Sequence, residues 1–358
     1  MTIQKLALLT AALFSSAVAA NGAEFLVYAG SGASGIYGYR FNSGSGKLKS
    51  LGLMANLPKV TFLIEHPDHR FLYTVSDDGI GAFLLDPKSG KLNLVNSVKP
   101  KGEAPCYLAL DRGGRWLAVA YCGDGAVSML PLRKDGGIGE QQSLVRPDGA
   151  ASARALVFSP DNRFLLVSDF GLGRIYSYGF RDDSGALTPA ETPFLATEAG
   201  AGVGRLAFHP DGAAVYVLNP LRAAVVFYRY DRAHGSLGES QTVATLPPAA
   251  PRAGHPLHLA FNASGSMLYV SNDGLNSMAL MVVDPVRLTL SVLEYTPLVG
   301  NGPRHFAMDP TGVYLLVASQ ESNAIDVYTV HPRSGQLRPV RGSVKIEKPE
   351  CLTIVPAK

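Results

Sequence analysis

The sequence is short of charge, of cysteine and of long apolar segments. Charged side chains make up 17% of its 358 residues and leave a net charge of +3, with no run of Lys or Arg. Such a distribution offers no electrostatic footprint for nucleic acid. Beyond the first 20 residues, no segment reaches the roughly 18 consecutive apolar residues that a transmembrane helix needs. We therefore expect no nucleic-acid partner and no stable membrane insertion.

Several catalytic motifs are absent as well. The chain has no GxSxG, HExxH, Walker A or EF-hand pattern, which removes α/β-type serine hydrolases, zincins and P-loop enzymes. Residues 30–35, GSGASG, formally match GxGxxG, but the alternating strand IYGYRF follows instead of a helix. Without a helix N-terminus nothing would hold a pyrophosphate, and we interpret these glycines as a loop between strands. No His, Cys or Asp spacing demands a metal, and we expect neither metal nor cofactor.

The first 20 residues have the order of a secretory signal peptide. Lys5 precedes an apolar stretch at residues 6–14, and the small residues Ala17, Ala19 and Ala20 follow it. Cleavage after Ala19 or Ala20 would leave a signal peptide at residues 1–20 and one domain at residues 24–358. We expect the mature chain to be periplasmic or secreted, and a monomer. An uncleaved N-terminal anchor is the alternative.

Residues 302–340 contain the unit that the rest of the chain repeats. Their composition predicts four short strands, at residues 304–308, 314–319, 324–330 and 336–340, with turns rich in Asp, Pro and Gly between them. No stretch keeps the 3.6-residue period of an amphipathic helix. The unit is therefore predicted to consist of β-strands alone.

This unit recurs at a nearly constant spacing. Its first turn aligns at six anchors that lie 45 to 53 residues apart: Pro67, Arg112, Pro160, Pro210, Ala263 and Pro310. Such a period is typical of propeller blades. The C-terminal PECLTIVP supplies only the first strand of a seventh unit, and residues 25–30, 35–41 and 47–52 supply the other three. We predict an all-β fold, a seven-bladed β-propeller of four-stranded antiparallel blades closed by pairing of the N- and C-terminal strands.

Two of the three cysteines are placed opposite one another in the second predicted blade. Cys106 begins its first strand, Cys122 ends its second, and the turn at Gly113 and Gly114 lies midway between them. In an oxidising compartment these two residues can form a disulfide. Free thiols are the alternative, because cross-strand geometry is demanding. Cys351 has no evident partner.

Three segments carry a resemblance to a known family: APCYLALDRGGRWLAVAYCGDGAVSMLPL (104–132), RALVFSPDNRFLLVSDFGLGRIYSYGF (154–180) and GPRHFAMDPTGVYLLVASQESNAIDVYTV (302–330). They resemble the seven-bladed lactonase family, which contains 6-phosphogluconolactonases and the related fungal carboxymuconate-lactonising enzymes. The resemblance extends over nearly the whole mature chain and implies a small-molecule substrate, a lactone or carboxylate. The family positions that this sequence keeps are Gly302, Pro303, Arg304, Gln320, Asp169, Gly171 and Arg174.

In such a propeller, the residues that begin the first strand of each blade face the mouth. They would form a cationic cluster there: Tyr107, Arg154, Arg205, His258, Arg304 and His305. Guanidinium groups bind planar oxyanions through a bidentate fork, so Arg304 with Arg154 or Arg205 is expected to stabilise a developing oxyanion. His258 is the expected proton carrier, because imidazole titrates near neutral pH. The side chains expected to bind substrate are Tyr107, Asp169, His305 and Gln320. Ordinary packing between blades is the alternative for each of these residues.

The acidic candidates lie at the ends or starts of inner strands: Asp77, Asp78, Asp169 and Glu350. An Asp in such turn sequences often caps its own turn, which is the alternative for the three Asp residues. The resemblance, together with the predicted signal peptide, implies an exported lactonase that hydrolyses an unphosphorylated sugar lactone or a similar cyclic ester. Water would be activated by His258 or by an acidic partner. Export argues against a sugar phosphate, because the phosphorylated substrate belongs to an intracellular pathway.

Two other functions stay open. In the third blade, the family has Pro-His where this chain has Ala153 and Arg154. In the second blade, the family has Pro-Cys-His where this chain has Pro-Cys-Tyr, which ends at Tyr107. In the fourth blade, Asn219 and Pro220 replace the family's Asn-Glu. A propeller without those His and Glu residues could bind a ligand or a protein and catalyse nothing. The cationic mouth could also hold a muconate-type carboxylate in a cycloisomerase. Hydrolysis of an aldonolactone would distinguish a lactonase from the binding propeller and from the cycloisomerase.

Overall fold

The computed structural model describes residues 22–99, 101–147, 149, 151–250 and 254–357. They form seven antiparallel sheets, one for each sequence repeat, which confirms the predicted seven-bladed propeller. We number the blades 1 to 7 in the order of the turn anchors, so that blade 7 contains both ends of the described chain. The predicted signal peptide at residues 1–20 lies outside the described residues.

Each blade has an inner, a second, a third and an outer strand. In that order, the strands of blades 1 to 3 are Phe62–Glu65, Phe71–Ser76, Gly79–Leu85 and Leu92–Val98; Pro105–Leu110, Trp116–Tyr121, Val127–Pro131 and Ser143–Val145; Ala153–Phe158, Phe164–Asp169, Arg174–Arg181 and Ala186–Ala196. Those of blades 4 and 5 are Leu206–Phe208, Ala214–Asn219, Ala224–Asp231 and Ser236–Ala244; His255–Phe261, Met267–Asp273, Ser277–Val283 and Leu290–Pro297. Those of blades 6 and 7 are Pro303–Met308, Tyr314–Ser319, Ala324–Val330 and Leu337–Pro339; Pro349–Pro356, Glu24–Ser31, Gly35–Asn42 and Lys47–Ala55.

The second strands are apolar on both faces because neighbouring blades cover both faces. All six residues are buried in the second strands of blades 1, 2, 3, 4 and 6. The outer strands contain only partly buried and exposed positions in Leu92–Val98 and Ser236–Ala244. A continuous apolar run in the sequence therefore marks a strand buried between two sheets.

Tyrosines of the second strands connect neighbouring blades. The hydroxyl of Tyr28 donates to the carbonyl of Gly90 at 2.9 Å, and that of Tyr73 donates to the carbonyl of Gly136 at 3.0 Å. Each acceptor is the glycine that ends a turn in the next blade, and Gly90 and Gly136 have φ values of 77° and 80°. Glycine adopts this left-handed conformation without steric cost. The repeated turn glycine thus serves both the turn and the contact between blades.

Pairing of the two ends of the chain closes the ring. Strand Pro349–Pro356 pairs antiparallel with Glu24–Ser31, from Phe25 opposite Pro356 to Ser31 opposite Pro349. The sequence predicted this pairing for residues 350–355 and 25–30. Closure completes the fourth strand of blade 7 and covers the edge of Glu24–Ser31 that would otherwise be open to association with other chains.

The outer edge of blade 6 differs from the prediction of one strand at residues 336–340. Two segments, Leu337–Pro339 and Val344–Lys345, both pair with Ala324–Val330. Pro339 has no N–H to donate to the ladder, and the chain leaves the sheet before it pairs again. The one helix among the described residues is the 3₁₀ turn Pro220–Arg222, so none there is long and apolar enough to cross a membrane.

Candidate functional site

A β-bulge at the start of the inner strand recurs in five of the seven blades. The ladder between the inner and second strands skips one residue in blades 2, 3, 5, 6 and 7: Cys106, Arg154, Leu257, Arg304 and Glu350. A bulge re-aims the side chain of the extra residue, and all five of these residues line one cavity at the mouth of the propeller. The bulges therefore decide which side chains reach the mouth.

The mouth cavity has a volume of about 960 Å³ and carries more cations than anions. Its cationic side chains are Lys59, Lys99, Arg154, Arg205 and Arg304, and its carboxylates are Asp77, Asp273 and Glu350. Two of the carboxylates are already paired, Asp77 with Lys59 at 3.9 Å and Glu350 with Arg304 at 3.0 Å. The cavity is therefore suited to an anion, or to a neutral group that becomes an anion during a reaction.

A second layer lies directly beneath the cavity and closes its floor. It consists of the residue five positions before each turn anchor in blades 1 to 6 and of the equivalent Cys351 in blade 7. These seven residues, which we call the floor ring, are Phe62, Tyr107, Ala155, Arg205, His258, His305 and Cys351. Their side chains meet across the channel: the ring of Phe62 in blade 1 lies 4.2 Å from that of Tyr107 and 6.3 Å from that of His305 in blade 6.

Arg205 is the one floor-ring residue that also lines the cavity. Its guanidinium carbon lies 4.2 Å from the centre of the Tyr107 ring and 5.0 Å from that of Phe62. The Nη1 atom is buried and has no hydrogen-bond partner among the described residues. Burial lowers the pKa of Arg205, yet a guanidinium stays charged. A positive charge without a carboxylate partner therefore lies at the floor of the cavity.

His258 and His305 stack on one another in the floor ring, with ring centres 3.9 Å apart. Burial lowers the pKa of His258 well below its usual value, and the neighbouring His305 and Arg205 lower it further. Burial, with Arg205 nearby, also lowers the pKa of His305 to about 3. Both rings are neutral near pH 7. The backbone N–H of Leu352 donates to Nδ1 of His305 at 3.3 Å, whereas Nδ1 of His258 is buried and has no hydrogen-bond partner in the part of the chain that the structure describes.

Arg304 and Glu350 connect the mouth residues of blades 6 and 7. Nε of Arg304 donates to Oε2 of Glu350 at 3.0 Å, and the side-chain amide of Gln320 donates to Oε1. The Arg304 side chain is 47% exposed and that of Glu350 only 17%, so the arginine reaches into the cavity while the carboxylate is held on its wall. Gln320 thus acts on the site through Glu350 and does not itself line the cavity.

Arg154 lies on the opposite side of the mouth, exposed, with its guanidinium carbon 5.2 Å from the centre of the Phe170 ring. Asp169 beside it is 1% exposed and accepts the backbone N–H groups of Ser152 at 3.0 Å and Leu172 at 2.9 Å. These bonds cap the turn at residues 170–173 and fix the backbone just before strand Ala153–Phe158, which carries Arg154. The contacts of Asp169 thus match the turn-capping alternative, and its side chain lies outside the cavity wall.

The two cysteines of blade 2 form a disulfide. Sγ of Cys106 lies 2.10 Å from Sγ of Cys122, and both residues line the cavity. Cys351 is free and buried in the floor ring, where desolvation raises the pKa of its thiol to about 12. Within the described ranges no group of three or more His, Cys, Asp or Glu residues is arranged to hold a metal ion.

The structure brings the six predicted mouth residues together in two layers. Arg154, Arg205 and Arg304 line the cavity, and Tyr107, His258 and His305 lie beneath it. Sequence reasoning missed Phe62, Cys351 and Phe170. Phe62 occupies the repeat position of Tyr107 and His305, five residues before the turn anchor, so a position-by-position comparison of the repeats would have found it. Phe170 has no such signal.

The comparisons with known proteins agree with this architecture. The family model described as "Lactonase, 7-bladed beta-propeller" matches residues 26–354. A 6-phosphogluconolactonase of Bacillus subtilis (strain 168) is 25% identical over 337 residues, which cover 91% of this chain and 95% of that protein. One from Klebsiella pneumoniae is 28% identical over 295 residues, with 82% of this chain and 87% of that protein covered. The periplasmic gluconolactonase of Pseudomonas aeruginosa superimposes with a TM-score of 0.86 at 28% identity, covering 94% of this chain and 100% of that one.

Proposed function

The chain belongs to the lactonase family of seven-bladed β-propellers, and from this we propose that it is an exported lactonase. Its substrate is an unphosphorylated sugar lactone or a similar cyclic ester, which it hydrolyses in the mouth cavity. The observation that carries the proposal is the convergence of Arg154, Arg205 and Arg304 on one cavity. Of these three, Arg304 alone has a carboxylate partner at hydrogen-bond distance among the described residues.

Three guanidiniums suit the charge that develops during ester hydrolysis. Water adds to the lactone carbonyl, a proton leaves the water, and the carbonyl oxygen becomes an oxyanion. Collapse of this intermediate breaks the ring C–O bond, the ring oxygen takes up a proton, and a hydroxy acid is released as its carboxylate. Arginine donors on the cavity wall stabilise both the oxyanion and the product carboxylate.

Two groups are suited to accept the proton of the attacking water. Glu350 lies on the cavity wall, held by Arg304 and Gln320, and a carboxylate oxygen is suited to accept a proton. His258 lies one layer lower and is neutral, with an unpartnered Nδ1. Glu350 therefore has the shorter path to a lactone in the cavity, and His258 reaches it only through the floor.

The unphosphorylated substrate and the exported location are proposed together. The N-terminal sequence predicts a signal peptide, and a solved relative at 28% identity is described as a periplasmic gluconolactonase. Other relatives are described as 6-phosphogluconolactonases, whose substrate carries a phosphate. The decisive experiment measures hydrolysis of gluconolactone, galactonolactone and 6-phosphogluconolactone by purified mature protein. Faster turnover of the phosphorylated lactone would overturn the substrate class, and turnover of none of them would overturn the lactonase function.

One observation favours a second candidate, a propeller that binds an anion without turning it over. Asp77 and Glu350 on the cavity wall are both ion-paired, which leaves Asp273 as the one lining carboxylate without an ion pair among the described residues, so the wall offers more to an anion than to a proton. Calorimetric titration with gluconate and with a muconate-type dicarboxylate tests this candidate. Tight binding without any lactone hydrolysis would favour it, and conversion of the dicarboxylate to a lactone would indicate a cycloisomerase.

A further inference from the structure

The floor ring contains one charged side chain among six neutral ones. Arg205 shares the ring with Phe62, Tyr107, Ala155, Cys351 and the two neutral imidazoles of His258 and His305, and its guanidinium lies against the rings of Phe62 and Tyr107. Buried arginines usually meet a carboxylate, which orients the guanidinium and cancels its charge. Here no carboxylate is within salt-bridge distance of Arg205 in the described chain, so something else must orient it.

We propose that Tyr107 and Phe62 are positioning residues that hold the Arg205 guanidinium by their ring faces. Their rings lie 4.2 Å apart and tilted by 33°, and the guanidinium carbon of Arg205 lies 4.2 Å and 5.0 Å from the two ring centres. Both distances are within the range of a cation–π interaction, which strengthens when the partners are desolvated. A planar guanidinium also stacks on aromatic faces better than an ammonium does.

An aromatic clamp has a consequence that a carboxylate partner would not have. It fixes the orientation of Arg205 and leaves its net charge available to an anion in the cavity. Nη1 keeps its unused donor capacity, because ring faces do not compete for N–H groups as strongly as a carboxylate oxygen does. The clamp thus keeps Arg205 ready for the oxyanion or the product carboxylate. This role rests on the proposed function, whereas the clamp geometry does not.

Crystal structures of the wild type and of two Tyr107 variants test the geometry without any ligand. Tyr107→Phe keeps the ring face, and Arg205 is expected to stay in place. Tyr107→Leu removes the face, and the guanidinium is expected to leave its position beside Phe62. An unmoved Arg205 in Tyr107→Leu would overturn the proposal, whether or not the protein is a lactonase.

A double-mutant cycle tests the role in catalysis. Tyr107→Leu is expected to lower kcat/KM on the best lactone about tenfold more than Tyr107→Phe does, because only Tyr107→Phe keeps the ring face. In an Arg205→Ala background, Tyr107→Leu should have no further effect, because the ring acts through Arg205. The same tenfold loss in that background would overturn the proposal. If the wild type hydrolyses no lactone, the proposed function fails, and the cycle is measured instead as the Kd for gluconate.

Phe208→Leu is the matched control. Phe208 ends the inner strand of blade 4 and packs edge-on against Tyr230, with ring centres 4.8 Å apart, away from the cavity. The Phe208→Leu substitution removes an aromatic contact of similar size and leaves the two rings beside Arg205 unchanged. We expect a lower melting temperature in this variant and an unchanged kcat/KM. Equal losses of activity in Phe208→Leu and Tyr107→Leu would mean that general destabilisation, and not the clamp, explains the effect.

Discussion

Nε of Arg304 donates to Oε2 of Glu350 at 3.0 Å, across the junction between blades 6 and 7. Both are bulge residues, and 46 positions separate them in the sequence. The contact exists only because the C-terminal strand closes the ring beside blade 6. It joins the guanidinium that we propose to bind an anion to the carboxylate that we propose to accept a proton, and the two roles can be tested separately.

Arg304→Ala is expected to lower the lactonase rate by about 10²-fold to 10³-fold, as for the loss of one oxyanion donor. Arg304→Lys should restore little, because an ammonium keeps the charge without the planar fork. Steady-state kinetics and melting curves measure the two effects. The matched control is Arg115→Ala, which removes an exposed arginine that pairs with Asp182 at 2.6 Å and should leave the rate unchanged. A loss that follows only the folded fraction would indicate a structural role for Arg304.

The proton acceptor is identified by comparing Glu350→Gln with His258→Asn. Glu350→Gln should lower kcat by about 10²-fold or more, since an amide cannot accept the proton of water. His258→Asn should have a smaller effect on kcat, because His258 lies below the cavity. Initial-rate assays of lactone hydrolysis at pH 7 measure kcat for both variants. A larger loss in the His258 variant would reverse the assignment.

Deleting residues 349–358 should destroy the fold, because the inner strand of blade 7 would be missing. The neighbouring strand Glu24–Ser31 would then expose the edge that Pro349–Pro356 now covers. We expect an aggregated product without a cooperative thermal transition, as judged by soluble yield and circular dichroism. Deleting only residues 357 and 358 is the control and should leave the transition nearly unchanged. A monomeric, cooperatively melting protein after the longer deletion would disprove closure by this strand.

The Cys106–Cys122 disulfide is expected to stabilise the protein by about 2 to 4 kcal/mol, since it closes a loop of 16 residues. Urea unfolding with and without a reductant measures this difference. The double variant Cys106→Ala with Cys122→Ala should unfold at the lower urea concentration under both conditions. A wild-type midpoint that does not respond to reductant, with the disulfide shown by mass spectrometry to be reduced, would contradict the prediction.

Stability should fall on acidification because of the neutral histidine pair. The folded-state pKa of His305 is about 3 against an ordinary value of 6.5, so between these pH values the unfolded chain binds more protons than the folded one. The free energy of unfolding therefore decreases as the pH falls, by about 2 kcal/mol between pH 7 and pH 5 from His305 alone. Urea titrations at both pH values compare the wild type with His305→Gln, which should lose less. An equal loss in both proteins would mean that His305 does not titrate in this way.

The fold was predictable because its information is local. Strand Tyr314–Ser319 was predicted to the residue, since it is a short apolar run bounded by a Pro-Thr-Gly turn and a polar loop. Repetition at 45 to 53 residues then determined the number of blades, and the incomplete unit at the C-terminus determined how the ring closes. The strand and turn signals depend on neighbours within one repeat, and comparison of the repeats then gives their number.

The site was predictable only as a set of residues. The sequence placed Arg304 and His305 together at the start of one strand, and consecutive strand residues are expected to face opposite sides of the sheet. A bulge at Arg304 breaks that rule, so the arginine lines the cavity and the histidine joins the floor ring. The sequence of that strand gives no sign of the bulge.

The sequence by itself determined the all-β architecture, the seven blades, their closure and the cationic character of the inner-strand starts. Only the tertiary structure decided that Arg205 lies against Tyr107 and Phe62, that Glu350 pairs with Arg304, and that His258 lies below the cavity. The reason is physical. Strand formation and turn type depend on residues a few positions apart, whereas the contacts at the centre of a ring join side chains from different blades, whose directions are fixed by backbone bulges and by packing across the channel.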